Sequence, residues 1–355
     1  MNNETKTDSS SSAGTETQSQ NDKPDNVLYF NKDILPQMKK MECDEPLHLS
    51  IGDKFLRRWL IEGLIGKGGY GEIYFALDMI NGKNVAIKVE PKKRKDKLAK
   101  RMILEQHVLF KMQRKPHVPI IYGSGHHENI NYIIMEVLSV NVGDIKKSSP
   151  WKRLSKFTVG RIIHQLITAL RDLHQAGYVH RDVKPANMCF GVYPHTRHKL
   201  ILLDFGLVRR YKAENGTWRE PRARAGFRGT TRYVSIRVHR RLEQSPYDDL
   251  CSVMYTSYEL LSGELPWKNL EKAEEVLQLK QLMTEVGINL EMFKGPRSIL
   301  IDFFKLISES DPTKEPNYEK LIECVKVMYD PKTLEDPYDW EDDFKFVEEA
   351  AEEKI

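Results

Sequence analysis

The sequence predicts an α+β fold in two lobes, a small antiparallel β-rich lobe carrying one helix and a larger, mainly α-helical lobe. Short β-rich apolar runs joined by turn signals occupy Trp59 to about Leu138. Helical spacing of apolar residues interrupts them once, from Leu98, and then dominates the rest of the chain. The composition, 40% hydrophobic and 30% charged over 355 residues, suits a globular chain long enough for two lobes that share an interface.

Residues 1–27 are Ser, Thr, Asn, Gln and Asp with little to bury, so they are read as a disordered tail, and 28–54 as an extension leading inward. The first lobe, 55–138, starts as a meander: WLIEGLIG, GEIYFAL and NVAIKVE, with Asn81-Gly82 turning the second hairpin. Leu98, Met102, Leu109 and Met112 then mark one helix, and PIIYG and INYIIMEVL two more strands. The second lobe spans 139–340. In it Val159, Ile163, Leu166, Leu170 and Leu173 form a clean stripe ending at Gly177. Residues 341–355 are an acidic tail.

The net charge of +4 does not argue for nucleic acid as a partner. Cys43, Cys189, Cys251 and Cys324 are far apart with no C-x-x-C pair, which points to a reducing compartment. The opening MNNETKTDSSSSAGTETQSQ has no apolar core for a signal peptide, and Asn2 stands where myristoylation needs glycine. No run reaches the roughly 18 apolar residues of a membrane span. A cytoplasmic monomer is expected, with the nucleus as a second location.

Five stretches carry chemistry. In IGKGGYGEIY, Gly66, Gly68 and Gly71 have G-x-G-x-x-G spacing between two strands, so they sit in a hairpin able to fold over phosphates rather than at the start of a helix. In VAIK, alternation puts Ala86 and Lys88 on one face and Val85, Ile87 and Val89 on the other, leaving room for a flat ring beside Lys88. Glu105 fills the missing position of the Leu98–Met112 stripe. That places a carboxylate on an apolar face, where Lys88 is its natural partner, with Glu90 a weaker rival for that lysine and a helix rotated toward solvent the alternative. HRDVKPAN is a polar loop leaving a packed helix: Asp182 can accept a hydroxyl proton, Lys184 can neutralise a moving phosphoryl group, and Asn187 can ligate a hard cation. In KLILLDFGL an apolar strand delivers Asp204, a second oxygen donor for Mg²⁺.

In this order the five motifs resemble a protein kinase from about Trp59 to Trp340, and the resemblance assigns their roles more firmly than spacing alone. GFRGTTRYVSIRVH, YDDL, GELPW and EDPYDWE are similar to the casein kinase I superfamily, nearest to its tau-tubulin kinase branch. The resemblance implies a bilobal protein-kinase-like fold and transfer of the γ-phosphate of Mg-ATP to Ser/Thr hydroxyls of protein substrates. It implies ATP contacts from Ile65, Gly66, Lys67, Gly68, Gly69, Tyr70, Gly71, Ile73, Ala86 and Lys88, with Met135 as gatekeeper and Glu136 and Leu138 as hinge. It also implies that Thr230 contacts Asp182 and Lys184, and that Asp249 braces the catalytic loop. Ser235-Ile236-Arg237 replaces the Ala-Pro-Glu of most kinases, so activity without activation-loop phosphorylation is expected. The rival reading is an ATP-binding pseudokinase or scaffold, although Lys88, Asp182, Asn187 and Asp204 are all present.

Between Asp204 and Leu242 basic residues greatly outnumber Glu214 and Glu220, and a solvated positive face accounts for them as well as a binding role does. The binding hypothesis has Arg232, with Lys280, hold an acidic or phosphorylated residue near the target hydroxyl. A companion hypothesis lays the acidic tail across this segment as a brake. KKRKDKLAKR, without interleaved aromatics, is read as the wet edge of the Glu105 helix.

Overall fold

A computed structural model of the chain describes residues 47–68, 71–94, 97–98, 100–285 and 287–341. The polar tail, most of the extension, Gly69, Tyr70, Cys43 and the acidic tail past Glu341 lie outside these residues.

The first lobe is a six-stranded antiparallel sheet in the order β1-β2-β3-β4-β8-β7. Its strands are β1 (Lys54–Phe55), β2 (Trp59–Gly68), β3 (Gly71–Asp78), β4 (Asn84–Pro91), β7 (Ile121–His127) and β8 (Ile130–Glu136), and α1 (Arg101–Met112) crosses between β4 and β7. Asn81 turns the β3–β4 hairpin by accepting the Lys83 N–H at 2.9 Å, and Gly82 supplies the left-handed backbone at φ 67°. Strand alternation divides β4 between two cores: Val85, Ile87 and Val89 pack on the outer face with Tyr74 and Ile134, while Ala86 joins Met102, Leu109, Ile133 and Met135 inside. One correction concerns the helix start. Lys97–Leu98 (β6) pairs with Lys93–Arg94 (β5) as a ribbon, and Lys100 is the N-cap, so the helix opens at Arg101 rather than Leu98.

The second lobe begins with α2 (Val142–Ser148), capped by the Asn141 side chain, and α3 (Lys156–Gln175), capped by Ser155. Two small antiparallel pairs follow: β10 (Met188–Phe190) with β11 (Leu200–Leu202), and β9 (Tyr178–Val179) with β12 (Arg209–Arg210). After α4 (Ile236–His239), α5 (Pro246–Ser262) is buried almost throughout, and a Ser245–Asp248 capping box anchors its start. The helices α6 (Ala273–Thr284), α7 (Ile301–Ser308) and α8 (Tyr318–Lys326) complete the lobe. The inner core runs without a break from α1 through α3 to α5 and α7, so the lobes share apolar contacts beneath the cleft. The architecture is the two-lobed α+β fold expected. Among the described residues no helix is long and apolar enough to cross a membrane.

Candidate active site

Strand β4 holds Lys88 between Ile73 of β3 and Ile133 of β8. Its ammonium stands 2.7 and 2.8 Å from the two Glu105 oxygens and 3.6 Å from Asp204 Oδ1. Glu105 is 2% exposed, on the face of α1 that also buries Met102, Leu109 and Met112, so the helix is turned with this carboxylate inward. Burial alone would pull the Lys88 ammonium down, but Glu105 and then Asp204 outweigh it and hold it above its ordinary value.

The HRDVKPAN loop lies between β9 and β10 and is braced from below. Asp249, buried in the first turn of α5, accepts the His180 N–H at 2.7 Å and the Arg181 N–H at 2.8 Å, with His174 Nε2 2.8 Å away. Burial would raise this carboxyl, but the His174 contact and the donated N–H bonds lower it. Above the brace, Lys184 Nζ donates to Asp182 Oδ2 at 2.7 Å and to Thr230 Oγ1 at 2.9 Å, while the Thr230 hydroxyl donates to Asp182 Oδ1 at 2.7 Å. Thr230 arrives there because Gly229 turns at φ 107° directly against the loop: a Cβ on Gly229 would stand 2.5 Å from the Arg181 carbonyl oxygen. Asn187 donates Nδ2 to the Asp182 carbonyl at 2.8 Å, which leaves its Oδ1 as the acceptor for a cation.

Asp204 follows β11 in a left-handed conformation, φ 63° and ψ 65°, and Phe205 is buried edge-on against His180 with ring centroids 5.3 Å apart. Both Asp204 oxygens accept from Arg101 Nη2, each at 2.7 Å. Burial would raise the Asp204 carboxyl, but Lys88 and the Arg101 bond prevail and hold it at about 2. Arg101 is a site residue that the sequence reading missed. It stands four positions before Glu105, on the same helix face, within a run of bases that was read as solvated.

Lys88, Arg101, Glu105, Asn187 and Asp204 wall one cleft of about 530 Å³ between the lobes, and Asp182 and Lys184 stand just outside it, joined to it through Asn187. Gly66, Lys67, Gly68, Gly71 and Ile73 roof it, Met135 and Pro119 lie behind, and Asn187, Leu203 and Asp204 form the floor around Lys88, Glu90, Arg101 and Glu105. Ile65, Ala86, Glu136 and Leu138 do not wall this cavity. Ala86 sits in register beside Met135, Glu136 turns its carboxylate to the Ile120 N–H at 2.8 Å, and Leu138 pairs with Gly191.

Residues 59–325 match the protein kinase domain model. The chain belongs to the protein kinase family. A casein kinase I homologue of Caenorhabditis elegans is 55% identical over 325 residues, covering 90% of this kinase and 95% of the relative. That likeness places the kinase in the casein kinase I group. A Dictyostelium discoideum serine/threonine-protein kinase is 34% identical over 80% of this kinase and 56% of its own length, and the Caenorhabditis elegans serine/threonine-protein kinase spe-6 is 26% identical over 82% and 78%.

The segment leading to α5 corrects one expectation of the sequence. Lys280 has no exposed surface: its Nζ donates to the Thr231 carbonyl at 2.8 Å and the Val234 carbonyl at 2.6 Å, over the rings of Tyr255 and Trp267. It pins the segment from below and cannot reach a peptide. Arg232 is partly exposed and donates Nη2 to the Lys268 carbonyl at 3.0 Å. The arginines of the segment are also less free than their number suggests. Glu243, one residue past Leu242, pairs with Arg209 at 2.7 Å and with Arg222, while Arg240 pairs with Glu285. The place of the missing Ala-Pro-Glu glutamate is taken by Ser235, whose hydroxyl donates to Asp248, and by Arg237, 3.4 Å from the same carboxylate.

Proposed function

We propose that this kinase is an active serine/threonine kinase transferring the γ-phosphate of Mg-ATP to protein hydroxyls. The observation that carries the reading is convergence: Lys88 paired to Glu105, Asn187 and Asp204 line one cleft, and the Asp182–Lys184–Thr230 triangle adjoins it through the hydrogen bond from Asn187 to Asp182. The donor set suits the expected cofactors. Mg²⁺ prefers hard oxygen ligands, and Asn187 Oδ1 with an Asp204 carboxylate held ionised provides two of them. Gly66 and Gly68 line the roof with nothing within 4 Å of where a Cβ would stand, which suits close backbone approach by phosphates. Bound there, the metal would supply charge neutralisation for the transferring phosphoryl group.

The chain's own groups would do the rest. Lys88, fixed by Glu105, would orient the nucleotide phosphates. Asp182 would accept the proton of the incoming hydroxyl, and Lys184 would balance charge as it develops. The Thr230 and Asp249 contacts set the loop without any phosphorylated residue, which supports activity independent of activation-loop phosphorylation. Preference for acidic or phosphorylated contexts then rests on Arg232 and not on Lys280. The tau-tubulin branch rests on the likeness of GFRGTTRYVSIRVH and EDPYDWE.

The test is transfer of labelled γ-phosphate from Mg-ATP to a degenerate peptide library by phosphatase-treated protein. Incorporation into Ser and Thr is expected, and Asp182→Asn should reduce it by about 10² to 10⁴. No transfer by the wild type, with nucleotide still bound, would make the protein a scaffold instead.

A further inference from the structure

Arg101 is unusually placed for a helix residue. It is the first residue of α1, whose first turn carries no acid, so its cation sits at the positive end of the helix dipole. The side chain is nevertheless directed into the cleft, only 15% exposed, with Asp204 as its partner. Its stem crosses Gly206 so closely that a Cβ there would stand 2.2 Å from Arg101 Nε and 2.7 Å from Cγ. Asp204 is therefore charge-balanced before any metal arrives.

A second buried acid lines the same cleft and lies in the field of the same cation. Glu90 lines this cleft and is 2% exposed, and its Oε1 has no hydrogen-bond partner among the described residues. Burial raises its carboxyl, partly offset by Lys88, and the charge of Arg101 also acts on it. A buried carboxylate oxygen left without a donor is costly.

We propose that Arg101 is a displaceable counter-ion with two seats: it neutralises Asp204 when the cleft holds no metal and moves to Glu90 when a divalent cation takes Asp204. This rests on the Mg-ATP reading and goes beyond it, since it makes the metal requirement a property of Arg101 and Glu90. The helix that carries Arg101 also carries Glu105, so metal entry would be coupled to the Lys88 pair.

The experiment measures Mn²⁺ binding to the full chain, as loss of the free-ion resonance signal, with and without a nonhydrolysable ATP analogue. Arg101→Met keeps the stem over Gly206 and removes the fork, so the Mn²⁺ concentration at half-saturation should fall about tenfold, the weight of one good charge-assisted pair. Glu90→Gln removes the second seat and should raise it several-fold. In Arg101→Met/Glu90→Gln the Glu90 effect should vanish, because nothing remains to be reseated. Equal or higher Mn²⁺ demand in Arg101→Met, or an undiminished Glu90→Gln effect in the double variant, overturns the proposal. Should Arg101→Met fail to fold by circular dichroism, Arg101→Lys, with a point charge in place of the fork, must still lower the half-saturation concentration. If wild-type protein binds the analogue with no help from Mn²⁺, the Mg-ATP reading falls and this inference with it. If Mn²⁺ helps the wild type but all variants match it, only this inference falls.

Discussion

Lys280→Met tests whether a buried ammonium holds the substrate-facing segment. The lysine has no exposed surface, and burial pushes it down to about 7 from an ordinary value near 10.5. In the unfolded chain the same group keeps its proton to about pH 10.4, so between these values the unfolded state binds close to one proton more than the folded state. Stability of the wild type must then rise with pH across that window, by about 1.3 kcal/mol between pH 8 and 9, a contribution that methionine lacks. The neighbours do not disturb the comparison. Burial and then the charge of Lys280 push His239 down to about 4, and burial pushes both Cys251 and Tyr255 up, so in the folded protein none of the three changes charge between pH 8 and 9. Near pH 7 the two proteins should differ little, because the variant loses two hydrogen bonds to carbonyls but also sheds the cost of burying a charge. Urea melts at pH 7, 8 and 9 read the slope, and peptide kinetics read the loop. With the Thr231 and Val234 carbonyls released, KM for peptide should rise about tenfold while KM for ATP holds, a difference of roughly 1.4 kcal/mol. Parallel stability curves would refute the buried-ammonium argument, and an unchanged peptide KM would refute the positioning role.

Three further outcomes follow from single contacts. Lys88→Met leaves Glu105 buried without its cation and should cost about 3 kcal/mol in urea melts, with Lys88→Met/Glu105→Leu recovering part of the loss. Gly229→Ala must adopt a left-handed backbone with its methyl 2.5 Å from the Arg181 carbonyl oxygen, so kcat should fall while ATP-analogue affinity holds, at a stability cost of about 1–3 kcal/mol. Asp249→Asn keeps the volume but cannot serve two N–H donors and His174 as a carboxylate does. It should lower kcat and the melting temperature together, and a normal kcat at full stability would show that the loop needs no brace.

The legibility of the site in the sequence depended on range. Asp182, Lys184 and Asn187 lie within six residues, so their grouping is local, and Asp204 announces itself by the apolar strand that delivers it. Glu105 was legible at long range because an acid on an apolar helix face needs a buried cation. Consistent use of that rule would have placed Lys280 as well. Val276, Lys280 and Met283 are the buried residues of α6 and recur at helical spacing, so the pattern that turned Glu105 inward turns Lys280 inward too. Its charge suggested a surface role, yet its position on the helix already excluded one. Arg101 shares its face with Glu105 four residues on, but nothing in a run of bases says which one will meet an acid 103 positions away. Glu243 likewise neutralises arginines up to 34 residues upstream across a turn that no periodicity reveals. Individual inward-facing charges are therefore readable from helical period, whereas their partners are set by how β11 and α5 pack beneath the cleft. The variants most informative about this kinase are those that separate the two: changing Lys280 or Arg101 alters one charge on a legible face and exposes the partner that only the fold supplies.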